Sequence, residues 1–309
     1  MVGRGSRNKK KLEKKKNRKT GKQRNKRGKE KNGTKKNLEM DKNSHQSTVE
    51  LHLGSRDWKI FSALEKWGVL GVGQLNGLGL DGNEMERVRF MFNDWLRTDS
   101  TTRISKRLRQ LEEAAYIRGH FYLNNPKLHT LSEKGYRLLK THGRSVMPGY
   151  RDSIEESLVP HELMVNAMGL VMSELLGLEV TTERERFVWS GRGGRSPAPQ
   201  RAISDLWIVD EERPKATEVE MTQKSQSRYA EIFEAYRRRL PRGGEVLYLT
   251  NWPSGVQCIL EHARECRAPF IYACSIEDFR RTAGRAPFLG AVKGEIVLLG
   301  DSKPVEAAR

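Results

Sequence analysis

Residues 201–221 read RAISDLWIVDEERPKATEVEM, and the acids in this stretch organise the reading of the whole chain. Residues 201–210 and 215–221 are two extended runs, rich in branched and aromatic side chains and separated by Glu-Glu-Arg-Pro. Side chains alternate along a strand, so Glu218 and Glu220 share one face while Val219 and Met221 take the other. Asp205 precedes Glu218 by 13 residues, enough for a strand, a turn and part of a partner strand. A hairpin of the two runs therefore brings Asp205 beside the Glu218/Glu220 pair. Carboxylates about 4 Å apart repel by roughly 4 kcal/mol per pair at an effective dielectric of about 20. Protons or a cation must neutralise them. Mg²⁺ or Mn²⁺ suits such oxygen donors and can activate water against a phosphoryl group. The bland reading is a half-solvated edge strand, where Glu alternating with Val and Met is ordinary.

The flanks read as a mixed α/β unit. Pro160 opens an apolar helix, HELMVNAMGLVMSELLG, which Gly177 stops. ERERFVW (183–189) reads as a strand. After the two central runs come the helix SQSRYAEIFEAYRRRL, the strand EVLYLTN, the helix SGVQCILEHARECR and the strand PFIYACS. The order α-β-β-β-α-β-α-β points to a sheet covered by helices. Arg184 and Arg186 fall on one face of the first strand. With Arg192, Arg195 and Arg201 they are candidate phosphate clamps. Tyr229 and Tyr236 lie seven apart on one helical face, which suits core packing better than a nucleophilic role. His161 reads as a cap or a solvated residue before it reads as a ligand.

Residues 55–145 carry a different pattern. DWKIFSALEKW (57–67) sets Trp58, Phe61, Leu64 and Trp67 near one helical face, and Gly68 ends it. A short helix over Val72–Leu78 and a helical insertion, EMERVRFMFNDWLR, follow. In TDSTTRISKRLRQLEEAAYI, Ser100 or Thr101 caps a helix whose buried stripe is Ile104, Leu108, Leu111 and Ala115. Its other face carries Arg103, Lys106, Arg107 and Gln110. An Asn-Asn-Pro turn then joins two short extended runs before a closing helix. This is the order of a winged helix-turn-helix, whose third helix enters the major groove. Thr101, Thr102 and Arg103 are placed for base contacts, with Lys106 and Arg107 for phosphates. A small helical domain with a solvated basic face would look similar.

The charge is unevenly spread. Of 57 Lys/Arg and 39 Asp/Glu, residues 1–45 hold 19 and four, a net of +15 out of +18. The remaining 264 residues are nearly neutral. The arm has five apolar residues, too few to offset its ordering entropy, so residues 1–50 are expected to be disordered. Such an arm grips nucleic-acid backbones by releasing counterions, without reading bases. No apolar run approaches the roughly 20 residues of a membrane span, and the first residues lack a secretory signal's apolar core. Cys258, Cys266 and Cys274 are odd in number and lack CxxC spacing. A reducing, cytoplasmic setting without a disulfide framework is expected.

At its acids the chain resembles the PD-(D/E)xK nuclease superfamily. There an Asp on one hairpin strand and an Asp/Glu-x-Lys on the next hold a metal against the scissile phosphate, and a Glu on the preceding helix assists. Ser204-Asp205 stands for the first half, Glu218-Val219-Glu220 for the second and Glu162 for the helix acid. The position of the usual Lys is Glu220, and Lys224 is the candidate replacement cation. Coupled to a winged helix, this arrangement is similar to the replication-relaxation family of mobile-element proteins and to MOBC-type plasmid relaxases.

The resemblance implies an α+β protein: a basic arm (1–50), a winged helix (55–145) and an α/β nuclease-like domain (153–300). It implies Mg²⁺ or Mn²⁺ at Asp205, Glu218 and Glu220, and duplex DNA of a plasmid or integrative element as partner, alongside conjugation or replication proteins. The expected activity is metal-dependent nicking. The alternative is a non-catalytic initiator or repressor on a degenerate nuclease scaffold. RNA binding is disfavoured by the lack of RNP-type aromatic clusters.

Overall fold

A computed structural model describes residues 51–78, 83–92, 102–121, 127–145, 147, 149–151, 154–186, 204–210 and 213–300. The basic arm, Ser100, Thr101, the side chain of Thr102, and Arg192, Arg195 and Arg201 lie outside them.

The first part runs α1 (Ser55–Trp67), β1 (Leu70–Gly71), α2 (Val72–Gly77), α3 (Glu84–Phe92), α4 (Thr102–Glu113), β2 (Ile117–His120), β3 (Leu128–Leu131) and α5 (Glu133–Thr141). On α1, Phe61 and Leu64 are fully enclosed, Trp67 is buried and Trp58 half-buried. The Asp57 carboxylate accepts the Gly54 N–H at 2.8 Å and so closes the helix start. Gly68 ends the helix at φ +77°. The three strands form an antiparallel sheet in the order β1-β3-β2. Ile104, Leu108 and Leu111 form the buried stripe of α4. Ala115, expected to extend that stripe, is exposed at φ +59°. The helix stops at Glu113 because Ala115 turns left-handed and the Tyr116 N–H returns to Leu111 O at 2.8 Å, while Ser132 Oγ donates to Ala115 O at 2.6 Å and Lys134 Nζ to Ala114 O at 2.8 Å.

The second part runs α6 (Val159–Glu174), β4 (Val180–Thr182), β5 (Leu206–Ile208), β6 (Lys215–Glu220), α7 (Gln226–Arg239), β7 (Glu245–Thr250), α8 (Gly255–Glu265), β8 (Ile271–Ser275), α9 (Ile276–Arg281), β9 (Phe288–Gly290) and β10 (Ile296–Val297). Its seven strands lie in the order β10-β9-β8-β7-β6-β5-β4. β6, β7 and β8 are parallel and the other pairings antiparallel, so the sheet is mixed and helices cover it. The expected strand at 183–189 is a correction. Residues 183–186 are helical, and the strand is β4, just before them. Thr182 and Glu185 impose this: Glu185 accepts the Thr182 N–H at 2.7 Å, and Thr182 Oγ1 accepts the Glu185 N–H at 3.2 Å. That reciprocal Thr-x-x-Glu cap starts a helical turn. Arg184 and Arg186 therefore do not share a strand face. Residues 187–189 lie outside the described residues.

One apolar core runs from α1–α5 through α6 to one face of the large sheet, and a second fills the other face under α7 and α8. Both parts belong to one compact unit, Glu50–Arg309. Polar ties cross between them. Asn166 on α6 donates to Val69 O at 2.7 Å and Trp67 O at 3.1 Å, and Gln74 donates to Leu163 O at 2.9 Å. A Cβ on Gly169 would sit 2.3 Å from the Trp67 ring. Ala normally improves a helix by up to about 1 kcal/mol over Gly. Here the overpacking against Trp67 outweighs that gain. Gly169→Ala is expected to destabilise the fold by about 1–2 kcal/mol in urea unfolding, and an unchanged midpoint would refute the close packing of Trp67 on α6.

Candidate functional site

The hairpin of β5 and β6 pairs Leu206 with Thr217, so Asp205 at the end of β5 stands opposite Glu218. Asp205 Oδ2 accepts the Val219 N–H at 2.8 Å and lies 3.4 Å from His161 Nε2. That nitrogen also donates to Val219 O at 3.0 Å. The hydrogen bond to Asp205 outweighs burial and lifts the His161 imidazole to about 9, so it is cationic at neutral pH.

Glu218 and Glu220 share the β6 face that meets α7 and the buried Tyr248. Glu218 accepts a hydrogen bond from Tyr236 OH, and Glu220 is ion-paired with Lys224. Burial, then the charge of Asp205, push Glu218 up to about 8. A raised proton affinity at Glu218 eases the repulsion from Asp205. Tyr229 and Tyr236 are core residues, 0% and 4% exposed. Burial raises Tyr236 well above its usual range, which leaves it a hydrogen-bond donor rather than a phenolate.

A cleft of about 620 Å³ opens beside Asp205, lined among others by Lys66, Trp67, Arg151, His161, Glu162 and Glu183. Glu218 and Glu220 are not among its lining residues, so Asp205 is the member common to cleft and acid pair. Glu162 is held by a two-pronged bridge from Arg151, with Nη2 to Oε1 at 2.8 Å. Glu183 is an acid the sequence reading missed as a site residue. Its N–H donates to Asp205 O at 3.1 Å, and burial with the Asp205 charge raises its carboxyl. The Thr-x-x-Glu signature was the available signal for its position.

Two of the expected phosphate clamps are committed elsewhere, and Arg192, Arg195 and Arg201 lie outside the described residues. Arg184 donates to Glu65 O at 2.7 Å and Gly149 O at 2.9 Å. Arg186 donates to Ser204 Oγ at 2.8 Å and lies over the Trp207 ring. Among the described residues no three His, Cys, Asp or Glu side chains stand close enough together to make a ready-made metal site. Asp205, Glu218 and Glu220 are oxygen donors of the kind a hard divalent cation takes, but Glu220 is engaged by Lys224 and Glu218 by Tyr236. A scan of the chain against protein-family models gives no match, and neither does a search of curated proteins.

On α4, Arg103, Lys106 and Arg109 are exposed, three residues apart. Arg107 is not available for a ligand. It grips the buried Asp57 with Nε and Nη2, at 2.8 and 2.6 Å, and Nη2 also donates to His52 O at 2.7 Å. Although burial pushes Asp57 up, the Arg107 bonds hold it below its usual range. Arg109, passed over in the sequence reading, takes the exposed place assigned to Arg107. Among the described residues no helix is long and apolar enough to cross a membrane.

Proposed function

We propose that this chain is a DNA-handling protein of the replication-relaxation type, with a winged helix at residues 55–145 and a PD-(D/E)xK-like centre that nicks one strand. The observation that carries this is the hairpin placing Asp205 opposite the half-buried Glu218, whose carboxyl is raised to about 8 by desolvation and by the Asp205 charge. Groups with strongly shifted proton affinity beside a cleft are candidates for chemistry. Asp205, Glu218 and Glu220 would hold Mg²⁺ or Mn²⁺, which supplies Lewis-acid assistance to attack on a phosphodiester. The chain's own residues do the rest. His161 fixes the Asp205 carboxylate, Arg151 holds Glu162 at the cleft, and Lys224 places positive charge beside Glu220. The basic arm would add grip without base readout.

Supercoiled plasmid carrying the cognate origin should become open circle with Mg²⁺, and chelator should stop the conversion. A second reading is a non-catalytic initiator or repressor. Lys224 already occupies Glu220 and Tyr236 already occupies Glu218, as in a scaffold that has lost its ion. Sequence-specific binding unaffected by chelator, with no nicking under any divalent metal, would establish that reading instead.

The face of α4 supports a separate expectation. Arg103→Gln with Lys106→Gln and Arg109→Gln should lower the slope of log Kd against log salt on duplex DNA by about 2–3, since each phosphate contact contributes roughly 0.9. Arg107→Gln should instead lower thermal stability, because it strands the buried Asp57. A slope that stays the same in the triple variant would remove α4 from the interface.

A further inference from the structure

The opposite end of the large sheet carries a feature that the acid site does not use. α7 ends in Arg237, Arg238 and Arg239, Arg242 sits in the turn before β7, and Arg267 sits in the turn after α8; all five are exposed. The end of α7 meets the turn after α8, because Arg237 donates to Cys266 O at 2.7 Å and Arg267 O at 3.1 Å. In a body whose overall charge is nearly neutral, this is a local concentration. Beside it lies a cleft of about 450 Å³, lined among others by Arg237, Arg242, Leu240, Phe270 and Tyr272. The Arg237 guanidinium lies 5.9 Å from the Phe270 ring centre.

Acids are present, and one of them holds Arg237 and Arg238, so the phosphate contacts are assigned to Arg242 and Arg267. Glu234 pairs with Arg237 and Arg238, Glu245 lies 3.9 Å from Lys215 Nζ and 4.0 Å from Arg213, and Glu295 accepts from Tyr272 OH at 3.4 Å. The parallel pairing sets Glu245 against Lys215, at the start of β6, and Thr250 against Glu220 at its end. The two ends are therefore roughly 17 Å apart at about 3.3 Å per residue, so this corner is not part of the acid cluster.

We infer that this corner binds single-stranded nucleic acid, Arg242 and Arg267 taking backbone phosphates and the Phe270 and Tyr272 rings taking unstacked bases. Arginines beside aromatic faces in a groove are what a flexible single strand can use and a stacked duplex cannot. The inference rests on the DNA-handling reading and adds to it a place for a strand separated by nicking or origin opening.

The test uses the full chain, a fluorescent 12-nucleotide oligo-dT and a duplex of equal length. Arg242→Gln with Arg267→Gln should lower the salt slope for oligo-dT by about 1.4, at roughly 0.7 per contact. Tyr272→Leu should weaken oligo-dT binding about fivefold or more, corresponding to the lower end of base–aromatic stacking at about 1 kcal/mol, and leave duplex binding unchanged. Oligo-dT binding that matches wild type in both variants overturns the inference, whatever the duplex does. Wild-type protein that binds no duplex overturns the broader DNA-handling proposal, a distinct outcome.

Discussion

Glu218→Gln is expected to reduce nicking of supercoiled DNA by at least about 100-fold, near 2.7 kcal/mol of transition-state stabilisation, while leaving the fold intact. Gln reproduces the shape of the protonated carboxyl that burial and Asp205 enforce, but it cannot become an anion when a cation arrives. The same substitution has a signature independent of activity. The proton affinity of Glu218 is raised on folding, from 4.5 to about 8. Its contribution to stability is therefore complete below about pH 4.5 and is lost as pH rises through 8. His161 is raised from 6.5 to about 9, so its contribution is complete below 6.5 and lost as pH rises through 9. Wild type should lose stability from both groups in the alkaline direction, and Glu218→Gln only from His161. Thermal unfolding at pH 5, 6.5 and 8 should show the variant overtaking wild type as pH increases. Parallel curves would mean that Glu218 is ionised throughout, and full nicking by the variant would end the catalytic proposal.

Asn166→Leu should cost about 2–3 kcal/mol, the largest single loss of stability foreseen from a polar residue. Asn166 is 5% exposed and its amide serves Val69 O and Trp67 O. Trp67 O keeps the Val69 N–H at 2.9 Å, so the heavier loss falls on Val69 O. Leu is close in size, so the penalty is that of polar groups left dry, about 1–3 kcal/mol each, rather than of a cavity. Urea unfolding followed by far-ultraviolet circular dichroism measures it. A shared core predicts one transition for wild type. Two separated transitions, or a loss below about 0.5 kcal/mol, would show that α6 does not tie the two parts together.

Much of the fold was legible locally. Helix periodicity located α1, α4, α6, α7 and α8, because an apolar stripe repeats every three or four residues whatever it packs against. The pairing of β5 with β6, and the common face of Glu218 and Glu220, followed from strand alternation and a 13-residue spacing. The failures were also physical. ERERFVW looks extended by composition, yet the side chains of Thr182 and Glu185 cap a helical turn there. Charge alternation cannot reveal that Arg107 is consumed by Asp57, 50 residues away.

By itself, then, the order of residues determined the helices, the interleaved strands, the acidic hairpin and the segregation of a basic arm from a nearly neutral body. Those properties depend on neighbours within one or two turns of chain, or on composition alone. Only the tertiary structure decided which charges remain available. It paired Arg107, Arg151 and Arg184 internally, exposed Arg109, raised the proton affinity of Glu218 and gathered arginines from a helix end and a distant turn at one corner. Charge availability is set by burial and by partners distant in sequence, and both exist only once the chain has packed.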